Sequence, residues 1–211
     1  MINHKGSRLL LIATNNKGKV KELGDLLKDT GIDLLTPAQI NLELDVLEDG
    51  HTYAENATKK AIAFAKASGL ISLADDSGLE VAALDGAPGL YSARYSPKPN
   101  ASDRDRRTYL LQNLQDKPRP WTARFHATIA IAMPNGEIFL TEGFCEGEII
   151  PKERGTGGFG YDPIFLLPEL GKTMAELPID EKNRLSHRAK AAINAKPILH
   201  QIFDLSIGES K

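Results

Sequence analysis

The most restrictive feature of the sequence is an unbroken apolar run, Leu9 to Ala13, that stops abruptly at Thr14-Asn15-Asn16. A run this apolar is expected of a strand covered on both faces, as in a parallel sheet. From Lys17 to Leu27 the pattern changes: Val20, Leu23 and Leu27 recur at spacings of three and four, which is a helical period. The chain therefore opens as strand, polar turn, helix, and that unit points to an α/β fold.

The rest of the sequence fits the same class. Residues 41–50 carry Glu43, Asp45, Glu48 and Asp49 with no basic residue, and Gly50 ends the stretch. Thr52 and Glu55 have the spacing of a capping box, and Ala54, Ala57, Ala61 and Ala65 form a small-residue stripe along the helix that follows. Gly69 is the expected stop. Ile71 to Ala74 reads as a short strand with Asp75-Asp76-Ser77-Gly78 at its end, and Ser102 to Leu114 as a helix capped by Ser102. Phe125, Ala127, Ile129, Ile131 and Met133 alternate as a strand, and Pro134-Asn135-Gly136 turns it into a second one, Glu137 to Leu140. Asp180 to Ala195 reads as a helix that Pro197 interrupts. There is no repeat and no long linker. The expectation is one domain over residues 8–205 with a mixed sheet, and tails at 1–7 and 206–211.

Composition narrows the function classes. Among 211 residues, 26 Lys+Arg face 28 Asp+Glu, a net charge of −2, without the basic excess of a nucleic-acid binder. Cys145 is the only cysteine, so the chain has no internal disulfide and no cysteine metal cluster, which suits a reducing compartment. The Leu9–Ala13 run is too short for a membrane span or a signal-peptide core, and the expectation is a soluble cytoplasmic protein.

Four segments could carry chemistry. Thr14-Asn15-Asn16-Lys17-Gly18-Lys19 joins a buried strand to a helix. Free amides at the helix start and two lysines would favour an anion, and Asn15 or Asn16 could take a positive φ; the alternative is a polar turn with solvated lysines. In Asp75-Asp76, two adjacent carboxylates are hard to hold without a cation, and Mg2+ takes one or two carboxylates and completes its shell with water and phosphate. A plain surface turn is the alternative. Gly155-Thr156-Gly157-Gly158-Phe159-Gly160 matches G-x-G-x-x-G literally, but Pro163 follows closely and no helix opens there, so a dinucleotide fingerprint is rejected. A flexible loop that approaches a ligand fits better, with Phe159 either a core anchor or a stacking platform for a base. Ser186-His187-Arg188, with Lys182, Arg184 and Lys190 nearby, forms a run without an acid, which taken alone reads as partly solvated surface. Together, the cationic segments, the acidic pair and the loop aromatic fit a nucleoside triphosphate with its metal.

These segments, with Glu55-Asn56-Ala57 and Gly86-Ala87-Pro88-Gly89-Leu90-Tyr91-Ser92-Ala93-Arg94-Tyr95, resemble the inosine/xanthosine triphosphate pyrophosphatase (Ham1-like) family, and the likeness runs from about Arg8 to Phe203. The resemblance implies an elongated mixed sheet flanked by helices, in two lobes with the active-site cleft between them. It implies Mg2+-dependent hydrolysis of ITP, dITP and XTP to the monophosphate and pyrophosphate, which cleanses the nucleotide pool, by a homodimer. Carried over by position, Thr14, Asn15, Asn16, Lys17, Gly18 and Lys19 would hold the triphosphate, with Lys60. Asp76 would be the proton acceptor and, with Glu48, the metal site; Ser77 would touch substrate. Phe159, Gly160, Tyr161, Asp162, Lys182, His187 and Arg188 would form the base and sugar pocket. One departure is Asn15, where many members have Gly. A pyrophosphatase for other modified nucleotides and a nucleotide-binding module without turnover are the competing readings.

Overall fold

A computed structural model of the chain describes residues 8–204; the two tails and Leu205 lie outside the described residues. Strands β1 (Leu9–Ile12), β2 (Asp33–Leu35), β3 (Ile71–Val81), β4 (Trp121–Ala132), β5 (Ile138–Ile149), β6 (Phe165–Leu167) and β7 (Lys172–Thr173) form one sheet in the order β2-β1-β3-β4-β5-β6-β7. The helices are α1 (Lys17–Leu27), α2 (Tyr53–Ser68), α3 (Asp103–Leu114), α4 (Ile179–Leu185) and α5 (His187–Ile202). β1 pairs in parallel with β2 and β3, and the crossovers between them carry α1 and α2; β6 pairs antiparallel with β5 and β7. The sheet is mixed, as the sequence indicates.

The described residues form two compact units. One comprises residues 8–76, 128–142 and 191–204. Its core gathers Leu11, Ala13 and Ala74 from the strands, Ala130 and Ala132 from β4, and Ala57, Ala61, Phe64 and Ala65 from α2. The alanine stripe thus packs inward, its small side chains letting the helix lie close to the sheet. The other unit comprises residues 77–127 and 143–190, with a core built around Leu79, Leu110, Leu114, Phe125, Ile164 and Phe165.

Several local signals act as read. Thr52 Oγ1 accepts from the Glu55 amide at 3.1 Å, and Gly69 closes α2 at φ 71° with its N–H on the Ala65 carbonyl. The capping box is only half made, because Glu55 Oε2 takes the His51 amide at 2.7 Å instead of that of Thr52. Met133 donates to the Glu137 carbonyl at 2.9 Å across the β4–β5 turn.

Two readings are corrected. β3 does not end at Ala74; it runs through Asp75-Asp76-Ser77-Gly78 to Val81. β1 pairs it only as far as Leu73, so the acidic pair lies mid-strand, just past the point where its parallel neighbour turns away into α1. The last helical stretch breaks at Ser186, not at Pro197. Ser186 is extended (φ −67°, ψ 154°), closes α4 by donating to Lys182, and starts α5 with its hydroxyl on the Ala189 amide at 3.2 Å. Pro197 stays inside α5, where it and Ile193, the residue one turn earlier, are both exposed, so water can satisfy the carbonyl the missing amide leaves.

Candidate active site

In the first unit, four segments bring acids and lysines together: the 42–50 stretch, α1, α2 and β3. Along residues 42–48 burial alternates, with Leu42, Leu44 and Val46 leaning on the core while Glu43, Asp45 and Leu47 are exposed. That period of two carries Glu48 inward, to Lys60 of α2 at 2.8 Å. Asn56, nearly wholly buried, fixes the end of the segment by accepting the Gly50 amide at 2.8 Å. A Cβ at Gly50 would lie 2.6 Å from that oxygen, so only glycine allows the approach.

Asp75 is the hub of this cluster. Lys19, in the first turn of α1, pairs with its Oδ1 at 2.6 Å, and its main-chain carbonyl accepts from Lys19 at 3.2 Å and Lys60 at 2.8 Å. The cation that two adjacent aspartates require is therefore supplied largely by these ammonium groups. Asp76 is different. Its Oδ1 lies 3.8 Å from Lys60, while its buried Oδ2 has no hydrogen-bond partner among the described residues. Burial pushes the Asp76 carboxyl above the usual carboxylate range; Lys60 and Lys19 pull the other way, and Glu48 and Asp75 add to the rise. Among the described residues, no group of three or more His, Cys, Asp or Glu side chains could hold a metal.

The Thr14–Lys19 loop is more ordered than a bare anion nest. Asn16 caps α1, its Oδ1 accepting the amides of Gly18 at 2.9 Å and Lys19 at 3.2 Å, and its own amide donates to Thr14 Oγ1 at 3.2 Å. Two first-turn amides are thus already occupied. Neither Asn15 nor Asn16 uses the positive φ that either could have taken, and the Asn at position 15 carries no backbone penalty. Asn15, Asn16 and Lys17 are exposed, and a cleft lined by Asn15, Asn41, Glu43 and Asp45 opens beside them.

The second unit holds the aromatic cluster. Phe159 is half-buried, so it is not a core anchor, and Lys182 Nζ and Arg188 Cζ stand 5.4 and 5.6 Å from its ring centre. Asp162 Oδ2 accepts from the Phe159 amide at 2.9 Å and from Lys182 at 2.7 Å. The glycines serve this folding of the loop onto the protein itself. At Gly158 (φ +71°) a Cβ would stand 1.9 Å from Asp162 Oδ2, and at Gly155 it would meet the Ala175 backbone at 2.5 Å. The expected flexible loop is in fact pinned. Tyr161 is buried with its hydroxyl on the Ser92 carbonyl at 2.9 Å, and burial pushes that phenol above its ordinary range.

The break at Ser186 sorts the basic run. Lys182, His187 and Arg188 are buried, whereas Arg184 and Lys190 are exposed. His187 stacks on Phe125 at 4.7 Å between centres, and Arg188 donates to Ser77 Oγ at 2.8 Å. The sequence reading did not single out Asn56 as a support or Asp75 as the anchor of both lysines. For Asn56 a signal existed in Glu55-Asn56-Ala57; for the carbonyl of Asp75 there was none.

Fold and clusters define a class of α/β protein: a mixed seven-stranded sheet that carries carboxylates and lysines just past the parallel pairing of β1 and β3, and a cation-flanked phenylalanine loop just before β6. The chain belongs to the Ham1 family, whose model matches residues 10–198. It is 50% identical over 195 residues to a dITP/XTP pyrophosphatase of Desulforamulus reducens, covering 92% of this chain and 96% of that protein. It is also 50% identical over 183 residues to a dITP/XTP pyrophosphatase of Thermus thermophilus, covering 86% and 87%. Among solved structures, it is similar to a HAM1 protein from Coxiella burnetii (TM-score 0.83, 40% identity, covering 92% of this chain and 98% of that one). It is similar likewise to the Staphylococcus aureus Ham1 protein (TM-score 0.81, 39% identity, covering 92% and 99%).

Proposed function

We propose that this chain hydrolyses ITP, dITP and XTP between the α- and β-phosphates, releasing the monophosphate and pyrophosphate, with Mg2+ as its metal. The names of its relatives support the reaction. The observation that carries it is the Asp76 carboxylate, whose buried Oδ2 has no hydrogen-bond partner among the described residues and which stands beside Lys60 and Glu48. An acceptor in that state suits a water molecule's proton or a divalent cation.

Asp76 orients and deprotonates the attacking water. Lys19 and Lys60, held on Asp75, stabilise the charge that develops on the departing pyrophosphate. The loop from Thr14 to Lys19 receives the phosphates. Glu48 and Asp76 would hold Mg2+, a donor set that suits an ion taking one or two carboxylates and filling its shell from phosphate and water. When bound, it supplies charge neutralisation on the phosphate oxygens.

In the second unit, Phe159 stacks on the purine, with Gly160, Tyr161 and Asp162 shaping the loop around it. Ser77, Lys182, His187 and Arg188 supply polar contacts. Hypoxanthine and xanthine offer O6 as an acceptor where adenine offers an amino group. Adenine would leave a buried donor unmatched, at about 1–3 kcal/mol. The reading takes residues 8–205 as one catalytic domain. The enzyme works in the cytoplasm, where its substrates arise, and it is a homodimer, with Tyr91 (65% exposed) a candidate for the interface.

The deciding experiment is a steady-state comparison of ITP, dITP, XTP, GTP and ATP, scored for pyrophosphate, with Mg2+ and with chelator. The reading expects the highest kcat/KM for the first three and no turnover in chelator. Equal kcat/KM for ATP and ITP, or release of orthophosphate instead of pyrophosphate, would refute it. A molar mass equal to one chain in light scattering would remove the dimer.

A further inference from the structure

The loop that carries Phe159 is gripped from outside the proposed binding residues. Asp103 is the first residue of α3, and its Oδ2 accepts from the Gly160 amide at 2.8 Å. Arg107 lies one turn further along the same face of α3, and its Nη1 donates to the Gly160 carbonyl at 2.8 Å. The guanidinium is itself fixed, because Nε and Nη2 hold the two carboxylate oxygens of Glu153 at 2.9 and 3.0 Å. On the other side of the phenylalanine, Asp162 holds the Phe159 amide.

Both peptide units that flank Phe159 are therefore pinned, the preceding one by Asp162 and the following one by Asp103. With the planes on either side of its Cα fixed, the direction of the Cα–Cβ bond is fixed, and the ring is left only its χ1 and χ2 rotamers. Gly160 itself has φ +60°, which glycine reaches without steric cost, and both its amide and its carbonyl are bonded to α3.

We propose that Asp103 and Arg107 are positioning residues for base recognition: they clamp Gly160 from the first turns of α3 and so set the ring of Phe159 against the purine. The proposal rests on the reading of Phe159 as the stacking platform. Neither residue belongs to the proposed substrate-binding set; both act through Gly160. Asp103 is suited to the task because it stays ionised; burial opposes this, but the Gly160 N–H and Arg106 outweigh it and hold the carboxyl below its ordinary range.

The test is a double-mutant cycle. Asp103→Ala and Arg107→Gln are made alone and in a Phe159→Ala background. KM and kcat for dITP are measured, together with competitive inhibition by inorganic pyrophosphate, which reports the phosphate-binding half. Phe159→Ala should raise KM about tenfold, as loss of one base–aromatic stack implies. Asp103→Ala and Arg107→Gln should each raise KM several-fold with kcat within twofold and pyrophosphate inhibition unchanged, and should add nothing once Phe159 is alanine. Asp103→Asn, which keeps an acceptor oxygen, should restore KM. Additive effects in the Phe159→Ala background, or an unchanged KM in both clamp variants, would overturn the positioning role. A normal KM in Phe159→Ala alone would instead overturn the stacking reading. Two clamp residues are used so that a folding defect in one variant leaves the other to decide.

Discussion

Gly158 and Gly160 lie two residues apart in the same loop and both have left-handed backbones, yet their alanine variants should differ sharply. At Gly160 a Cβ meets nothing within 4 Å, so Gly160→Ala carries only the left-handed penalty, roughly 1–2 kcal/mol, partly offset by a stiffer unfolded chain. At Gly158 the same atom would stand 1.9 Å from Asp162 Oδ2. An ordinary carbon–oxygen contact of about 3.3 Å requires that oxygen to retreat by more than 1 Å, beyond what its bonds to the Phe159 amide (2.9 Å) and to Lys182 (2.7 Å) can absorb. Asp162 and Lys182 are only 4% and 5% exposed, so their separation leaves two charges poorly solvated. Deleting one partner of such a pair costs about 3–5 kcal/mol; since the pair is displaced rather than deleted, the added loss should be about 2–3 kcal/mol. In a chain of this size that is a further fall in Tm of roughly 4–12 °C for Gly158→Ala relative to Gly160→Ala. Thermal and urea unfolding of the two variants beside the parent would measure it. If they agree within about 0.5 kcal/mol, the steric argument and the role given to Asp162 are both wrong.

Three further outcomes are expected. Asp76→Asn should lose most of its turnover while keeping nucleotide affinity in equilibrium binding; wild-type kcat in that variant would remove Asp76 as the proton acceptor. Lys60→Met strips Glu48 and Asp76 of their shared cation and one bond from the Asp75 carbonyl, and should lower kcat more than tenfold, checked by single-turnover kinetics on dITP. Glu176 is held down to about 2 from an ordinary 4.5, first by Arg154 and then by the Thr173 amide. A depressed carboxyl stabilises the fold above its unfolded pKa and ceases to do so as pH falls through the folded one. The stability gap between wild type and Glu176→Gln, followed by urea midpoints, should therefore shrink between about pH 4.5 and pH 2, and a gap constant with pH would contradict the pairing.

Where information was local, the sequence was a good guide. The extent of α1, the Thr52 and Ser102 caps, the Gly69 stop and the β4–β5 turn each depend on residues a few positions apart, and each stands as read. The failures arise where distant chain decides. Asp75 and Asp76 look like the end of a strand because polar residues follow an apolar run, yet β3 continues because the sheet does. One miss is local: Pro197 is the strongest helix breaker in its stretch, but the break falls at Ser186, whose hydroxyl caps a new helix three residues on. The grip of Asp103 and Arg107 on Gly160 spans more than fifty residues, and nothing in either local sequence announces it. The candidate residues were named from motifs, but the division of labour within Asp75-Asp76, one anchoring two lysines closely and the other facing Lys60 only at 3.8 Å, required coordinates.

The shared seat of Lys19 and Lys60 on the Asp75 carbonyl has a practical consequence for dissecting this enzyme. Every residue offers the same main-chain oxygen, so replacing the side chain at this position leaves that seat in place. A systematic alanine survey would report only the carboxylate's share and miss the part that orients both ammonium groups. Only chemistry on the polypeptide itself, such as an ester in place of the amide at the Asp75–Asp76 linkage to weaken that oxygen as an acceptor, would expose it. The seat that the two lysines share depends on where β1 stops, and a change of side chain at position 75 does not remove it.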